Sequence, residues 1–258
     1  MLGAGRAALT GWARAGDGGR CSRRGETPDS GLQLLPLPKR QSARGWKDVL
    51  HTTVGILREG GLVGVPTDTI YGIACLAQDS QAVRNIYSLK GRNGAKPLAI
   101  CLGEVKQIYR YCHVSVPDEL LRDLLPGPVT LVLERSDELN KDLNPFTPLV
   151  GVRIPNHPFI RELAQACSAP LALTSANVSS QTSTLAVTEF RDLWPELSLV
   201  VDGGPIGDAQ NPESRLGSTV VNLSVSGKFT IIRPGCALTS TLEILGKKYG
   251  LALEPSCS

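Results

Sequence analysis

Residues 61–73 read Gly-Leu-Val-Gly-Val-Pro-Thr-Asp-Thr-Ile-Tyr-Gly-Ile. A short apolar run (Leu62, Val63, Val65) halts at Pro66, which cannot donate to a sheet ladder and so suits the last residue of a strand or an edge position. Thr67, Asp68 and Thr69 then place two hydroxyls and a carboxylate within one turn, at a strand's end where a ligand reaches them. Gly72 permits a backbone conformation, or a close ligand approach, that a β-carbon would block. Polar turns use the same residues, so this stretch read alone favours an ordinary strand-to-loop turn.

The chain's 258 residues allow one large domain or two small ones, with enough length to bury a sizeable core. Hydrophobic residues make up 41% and charged residues 20%, the balance of a soluble globular protein. No apolar run approaches the roughly 18 residues of a membrane span, so no transmembrane segment is expected. Seven cysteines are scattered without a Cys-x-x-Cys pair, and His51, His113 and His157 share no ligand spacing. That argues against a disulfide framework and a zinc site, so no metal ligand is assigned and a reducing compartment is expected.

Net charge is +3, yet residues 1–44 carry eight Lys/Arg against three acids, which leaves the remainder slightly acidic. A near-neutral body and 5% aromatics count against bulk polyanion binding and a base-stacking platform. A local basic cleft with weak RNA binding stays open. Residues 1–45 are rich in Gly, Ala, Arg and Ser and are expected to form a disordered tail. Their Arg-bearing, acid-poor start also matches a mitochondrial transit segment in part, although the glycines weaken the amphipathic helix that such a segment needs. Both descriptions fit.

From residue 46 the chain alternates short helices and strands. Trp46, Leu50, Val54 and Leu57 recur at helical spacing before Gly60-Gly61, and Ser80 stands as the N-cap of a second short helix. That helix leads into Lys90-Gly91-Arg92. Gly91 favours loop backbone, in which cations two apart point the same way and suit a polyphosphate. A lone Lys-Gly-Arg is otherwise two solvated cations. Strands follow at 97–102, 129–133 and 149–154, the last carrying Arg153 among apolar residues. A buried arginine needs an anion, either a structural partner or a ligand. A strand at 169–173 runs into Thr174-Ser175-Ala176-Asn177, small polar groups just past a strand's end. Ser175 has no His/Asp partner pattern, so a hydrolase nucleophile is rejected. Residues 204–216 form a long Gly/Pro/Asn loop in which Arg215 is a further candidate phosphate contact. Residues 218–222 and 229–233 pair across a turn at Gly227, and 241–249 close the chain with a helix.

Pro-Thr-Asp-Thr-Ile-Tyr-Gly resembles the signature of the YrdC family, the threonylcarbamoyl-AMP synthases, in its single-domain vertebrate form. Lys90-Gly91-Arg92, Pro126-Gly127-Pro128-Val129-Thr130, Val152-Arg153-Ile154-Pro155, Thr174-Ser175-Ala176-Asn177, Gly217-Ser218-Thr219-Val220 and Arg233-Pro234-Gly235 follow in family order. The resemblance implies one α/β domain over residues 46–250, with a twisted mixed parallel and antiparallel sheet, flanking helices and a positively charged concave surface. Residues 251–258 are expected to be a short tail. It further implies a nucleotidyltransferase that makes L-threonylcarbamoyladenylate from L-threonine, bicarbonate and ATP and releases pyrophosphate. A downstream threonylcarbamoyl-transferase complex would pass the group to position 37 of tRNAs that read codons beginning with A.

By the same resemblance Lys90 and Arg92 are the catalytic cations and contact ATP, together with Ser175, Asn177, Ser183 and Arg233. Thr69, Arg153 and Ser218 hold threonine. Lys96 and Cys101 stand where some relatives carry Asn and His, so those contacts are not carried over, and Lys96 is kept as a further cation near the phosphates. Magnesium is expected with ATP, without an assigned protein ligand. Cytoplasmic and mitochondrial locations are both expected. The alternative function is a non-catalytic RNA-binding or ribosome-associated module, and a carbamoyl-transfer subunit acting on another amine is a further rival.

Overall fold

The computed structural model describes residues 32–40, 42–91, 97–178 and 181–255. Its elements begin with β1 (Gln33–Pro36), α1 (Ala43–Arg58), β2 (Val63–Val65), β3 (Gly72–Leu76), α2 (Ser80–Leu89), β4 (Ala99–Cys101), α3 (Ile108–Tyr111), β5 (Cys112–His113) and α4 (Asp118–Leu124). They continue with β6 (Val129–Arg135), β7 (Leu149–Arg153), α5 (Pro158–Cys167), β8 (Leu171–Ser175), β9 (Leu199–Asp202), β10 (Thr219–Asn222), β11 (Lys228–Arg233), α6 (Leu238–Leu242) and β12 (Ala252–Leu253). The strands form one mixed sheet in the order β1-β9-β2-β3-β8-β4-β7-β6-β10-β11-β12, with β5 paired to β6. Parallel pairs such as β4 with β7 alternate with antiparallel ones such as β3 with β8, as expected of a mixed α/β sheet.

Side chains along a strand alternate between the two faces of the sheet, and the sequence uses each face differently. On one face Ile73, Cys75, Ile100, Leu131, Leu133, Val150, Val152 and Ala172 enter a core that also contains residues of α2 and α4. On the other, Val63, Val65, Ala74, Leu171 and Leu173 meet α1 and α5. There Trp46 packs edge-on against Phe159, with ring centroids 5.6 Å apart, and its indole donates to Glu162 at 2.6 Å. Helices cover only part of this second face. Toward β7, β6 and β10 it carries Gly151, Arg153, Thr130, Val132 and Val220, which line a cavity instead.

Three expectations are corrected. The tail expected to be disordered through residue 45 supplies β1, parallel to β9 in the register Leu34 with Val200. Leu35 and Leu37 pack on the α1–α5 core, and Leu37 donates its backbone N–H to Asp202. Without β1 that flank of β9 would lack a strand partner. At the other end the expected tail contributes β12, in register with Lys228 and Phe229. The N-cap of α2 is Asp79 rather than Ser80: its carboxylate accepts from the amides of Gln81 at 2.9 Å and Ala82 at 3.0 Å.

Trp46→Ala is expected to destabilise the fold by about 3–5 kcal/mol, because the α1–α5 contact becomes a cavity. Urea unfolding checks this through a lowered midpoint at unchanged slope. An unchanged midpoint would contradict the packing role.

Candidate functional site

The turn after β2 is built by Thr67. Its hydroxyl accepts from the amides of Thr69 at 3.1 Å and Ile70 at 3.3 Å, and donates to the carbonyl of Ile70 at 2.7 Å. This local network directs Asp68 toward the carboxyl end of β7. There Arg153 donates from Nη2 to Asp68 Oδ1 at 2.7 Å, and Nη1 lies 3.4 Å from Thr69 Oγ1. Both charged side chains are more than nine-tenths buried. The other carboxylate oxygen of Asp68 accepts from the backbone amide of Asn156 at 2.8 Å. Thus the anion that a buried arginine needs is present within the chain, and Arg153 still lines the cavity.

The cavity measures about 440 Å³, within the range of small-molecule sites. Thr67 and Tyr71 border it on one side, Thr174 and Ser175 of β8 on another, and Ser218 and Arg233 across from them. Ser218 and Thr130 share a hydroxyl–hydroxyl bond of 2.8 Å. Arg233 donates from Nη2 to the Ser218 carbonyl at 2.9 Å and lies 3.3 Å from its hydroxyl. Arg233 is exposed as a whole, but partial desolvation of its guanidinium at the cavity lowers its pKa from the usual arginine value, and the like charge of Arg153 pushes the same way. Gly235 packs against this corner so closely that a β-carbon there would stand 2.3 Å from the Ser218 carbonyl carbon. Any side chain at 235 would therefore displace Ser218.

Lys90 is the residue after α2, and Gly91 at φ +58 ends the helix. Its side chain is 1% exposed and reaches under the end of β8. The ammonium donates to the carbonyls of Ser175, at 2.8 Å, and of Asn177. It also lies 3.3 Å from the Asn177 amide oxygen. The two halves of the Lys-x-Arg and Ser-x-Asn pattern are thus in direct contact. β8 runs through Thr174 and Ser175, two residues beyond the expected strand end, paired to Ile73 and Gly72 of β3. Ser183 lies past Asn177, its carbonyl accepting from Arg215 at 2.7 Å. Arg215 is also forked onto both oxygens of Glu189, at 2.8 and 3.0 Å, so the candidate phosphate contact is engaged within the protein. Arg92 and Lys96 lie outside the described residues.

The structure therefore brings Arg153, Ser175, Ser218 and Arg233 around one cavity, with Thr69 against Arg153 and Lys90 against Asn177. Sequence reasoning assigned no role to Asp68, Thr130 or Tyr71. For Asp68 the signal was available: a buried arginine required an anion, and a carboxylate between two threonines stood at a strand's end. Tyr71 donates from its hydroxyl to the Gly204 carbonyl at 2.8 Å and accepts from the Gly203 amide at 3.0 Å, which fastens the loop after β9. Cys101 lies in register with Arg153, but burial pushes its thiol up to about 12, far from a thiolate at neutral pH. His157 is the N-cap residue of α5 yet makes no side-chain cap. Its Nδ1 is buried without a partner among the described residues.

Two guanidiniums and several hydroxyls face a largely apolar cavity on a mixed α/β sheet, an arrangement whose charge suits a small anionic ligand. A family model described as telomere recombination, covering Sua5, YciO and YrdC proteins, matches residues 55–235. A human protein named threonylcarbamoyl-AMP synthase is 65% identical over 224 residues, which cover 87% of this chain and 79% of that protein. A Pyrococcus abyssi protein of the same name is 33% identical over 202 residues, covering 76% of this chain and 56% of that one. The solved structure of P. abyssi Sua5 in complex with L-threonine matches with a TM-score of 0.71 at 27% identity. That match covers 86% of this chain and 62% of the archaeal one. E. coli YciO shares the fold at a TM-score of 0.68 and 22% identity, over 80% of this chain and 96% of that protein. The chain belongs to the Sua5/YciO/YrdC family.

Burial lowers the pKa of His157 from its ordinary value near 6.5, against a weaker opposing pull from Asp68. As pH falls through about 6.5 the unfolded chain takes up a proton that the folded imidazole refuses, so stability is lost on the acid side. Unfolding free energies measured at pH 7.5 and 5.5 are expected to fall further for the wild type than for His157→Gln. Equal losses would contradict a buried neutral His157.

Proposed function

We propose that the chain synthesises L-threonylcarbamoyladenylate from L-threonine, bicarbonate and ATP, releasing pyrophosphate. The product serves threonylcarbamoyl-adenosine formation at position 37 of tRNAs reading codons that begin with A. The observation that carries this reading is the convergence of Arg153, Ser218 and Arg233 on one cavity within the family-matched region. Identity of 65% to the human protein named threonylcarbamoyl-AMP synthase supports the same activity.

The chemistry suits these residue types. Threonine's amine and bicarbonate condense to a carbamate with loss of water. A carbamate oxygen then attacks the α-phosphorus of ATP, the bond to the bridging oxygen breaks, and pyrophosphate leaves with that electron pair. A carboxylate-like nucleophile needs little general-base help, so the protein's task is positioning and charge neutralisation. In this assignment Arg153, Thr69 and Ser218 hold threonine, with the guanidinium on its carboxylate. Ser175, Asn177, Ser183 and Arg233 line the path of ATP. Lys90 holds the Ser175–Asn177 segment from beneath and adds its charge there, and the motif assigns Arg92 to the phosphates with Lys96 beside them. Apolar walls such as Leu98, Val132, Leu149 and Leu173 slow hydrolysis of the carbamate and the mixed anhydride.

Among the described residues no three His, Cys, Asp or Glu side chains cluster as a metal cage. Magnesium is proposed to accompany the ATP phosphates, with no protein ligand assigned. A downstream transferase complex acting on tRNA is the proposed consumer of the product. Cytoplasmic and mitochondrial locations are both proposed, the second on the Arg-bearing, acid-poor start of the sequence. Among the described residues no helix is long and apolar enough to cross a membrane.

Pyrophosphate release by the purified chain is expected to require both threonine and bicarbonate, and no tRNA. Release indifferent to threonine would overturn the assignment, and RNA binding without release would favour a non-catalytic module. Arg153→Lys, which loses the forked contact, is expected to raise the KM for threonine about ten-fold or more while the KM for ATP changes by less than about two-fold.

A further inference from the structure

We infer that Asp68 is the positioning residue of the amino-acid subsite, holding Arg153 in the orientation that presents its remaining guanidinium donors to the cavity. This rests on the threonine-dependent reading and adds to it a residue that the reading leaves without a role.

The two carboxylate oxygens of Asp68 are used in different directions. Oδ2 is fixed by the backbone amide of Asn156 at 2.8 Å, at the turn between β7 and α5. Oδ1 in turn fixes Nη2 of Arg153 at 2.7 Å. Backbone geometry therefore sets the carboxylate, and the carboxylate sets the guanidinium. The Thr67 hydroxyl holds the other side of this arrangement by capping the amides of Thr69 and Ile70. Arg153 has five N–H donors in a rigid plane. Nη2 is committed to Asp68, Nη1 leans on Thr69 at 3.4 Å, and Nε is buried with no partner among the described residues. Such a guanidinium is pinned at one end by Asp68 while its side chain still lines the cavity, where a carboxylate can meet it.

Charge balance gives Asp68 a second function. Arg153 and Arg233 line the same cavity, and each guanidinium raises the cost of holding the other there. Asp68 neutralises the buried Arg153, which leaves about one net positive charge among these three groups. That matches one substrate carboxylate. Without Asp68 the two guanidiniums would repel across the cavity, and Arg153 would be free to turn toward water or a stray anion.

The test uses the full chain and steady-state pyrophosphate release. Asp68→Asn keeps the shape, but its amide N–H groups must face either Arg153 or the Asn156 amide, donor against donor. The KM for threonine is expected to rise about ten-fold or more, with the KM for ATP changed by less than about two-fold. A smaller folded fraction lowers the maximal rate without altering either KM, so the split separates positioning from stability. In an Arg153→Lys background the same substitution is expected to raise the KM for threonine by less than about two-fold, because its effect passes through the guanidinium. If Asp68→Asn fails to fold, Asp68→Glu is measured in the same way, with an intermediate rise expected. An unchanged KM for threonine in the variant measured, or an equal factor in both backgrounds, would overturn the inference. Wild-type turnover that ignores threonine would instead overturn the function reading, and this inference with it.

Discussion

A guanidinium taken almost wholly out of water must meet a counter-charge, and the site is arranged around how this chain supplies one to Arg153. The carboxylate comes from the turn after β2, some 85 residues earlier in the chain. Asp68 therefore ties the β2–β3 turn to the end of β7 through Arg153 and to the β7–α5 turn through the Asn156 amide. Removing one member of a buried pair generally costs about 3–5 kcal/mol, which makes such a contact a strong constraint on loop geometry. The surrounding hydroxyls of Thr67 and Thr69, with the Thr130–Ser218 pair across the cavity, then have fixed positions relative to one another.

The cavity exists because the sheet is asymmetric in what its second face carries. Along β2, β3 and β9 that face is apolar and covered by α1 and α5. Along β7, β6 and β10 it bears a glycine, an arginine, a threonine and valines, and among the described residues no helix lines the cavity there. Strand alternation makes this division possible without disturbing the other face, which stays apolar across Ile100, Leu131 and Val152. A floor of sheet residues is rigid, and rigidity is what positioning catalysis requires. Burial pushes the thiol of Cys101, in register with Arg153, up to about 12, so it stays a neutral thiol beside that guanidinium.

Much of this was legible in the sequence. Short apolar runs marked the strands at 97–102, 129–133 and 149–154, and the polar clusters at 67–69 and 174–177 fell where ligand groups sit on an α/β sheet. The pairing of Lys90 with the Ser175–Asn177 segment was implied by motif alone, yet its geometry was not: a lysine at a helix end beside glycine reads as exposed, and only tertiary packing buries it. β1 was hidden because Leu32, Leu34, Leu35 and Leu37 are averaged into a Gly/Arg/Ser-rich tail by any reading of composition. Its pairing with β9 spans more than 160 residues, beyond the reach of local pattern. For the same reason Arg215 read as a free phosphate contact, since Glu189, its partner, lies in a different segment of the chain.

In the proposed reaction the Arg153 end of the cavity would receive the amino acid's carboxylate. A crystal structure of this chain with L-threonine and an unreactive ATP analogue tests it most directly. The threonine carboxylate is expected on Arg153, with Ser218 within hydrogen-bond distance, Asp68 unmoved, and the analogue running past Ser175 and Asn177. Threonine bound elsewhere, with Arg153 contacting Asp68 alone, would contradict it.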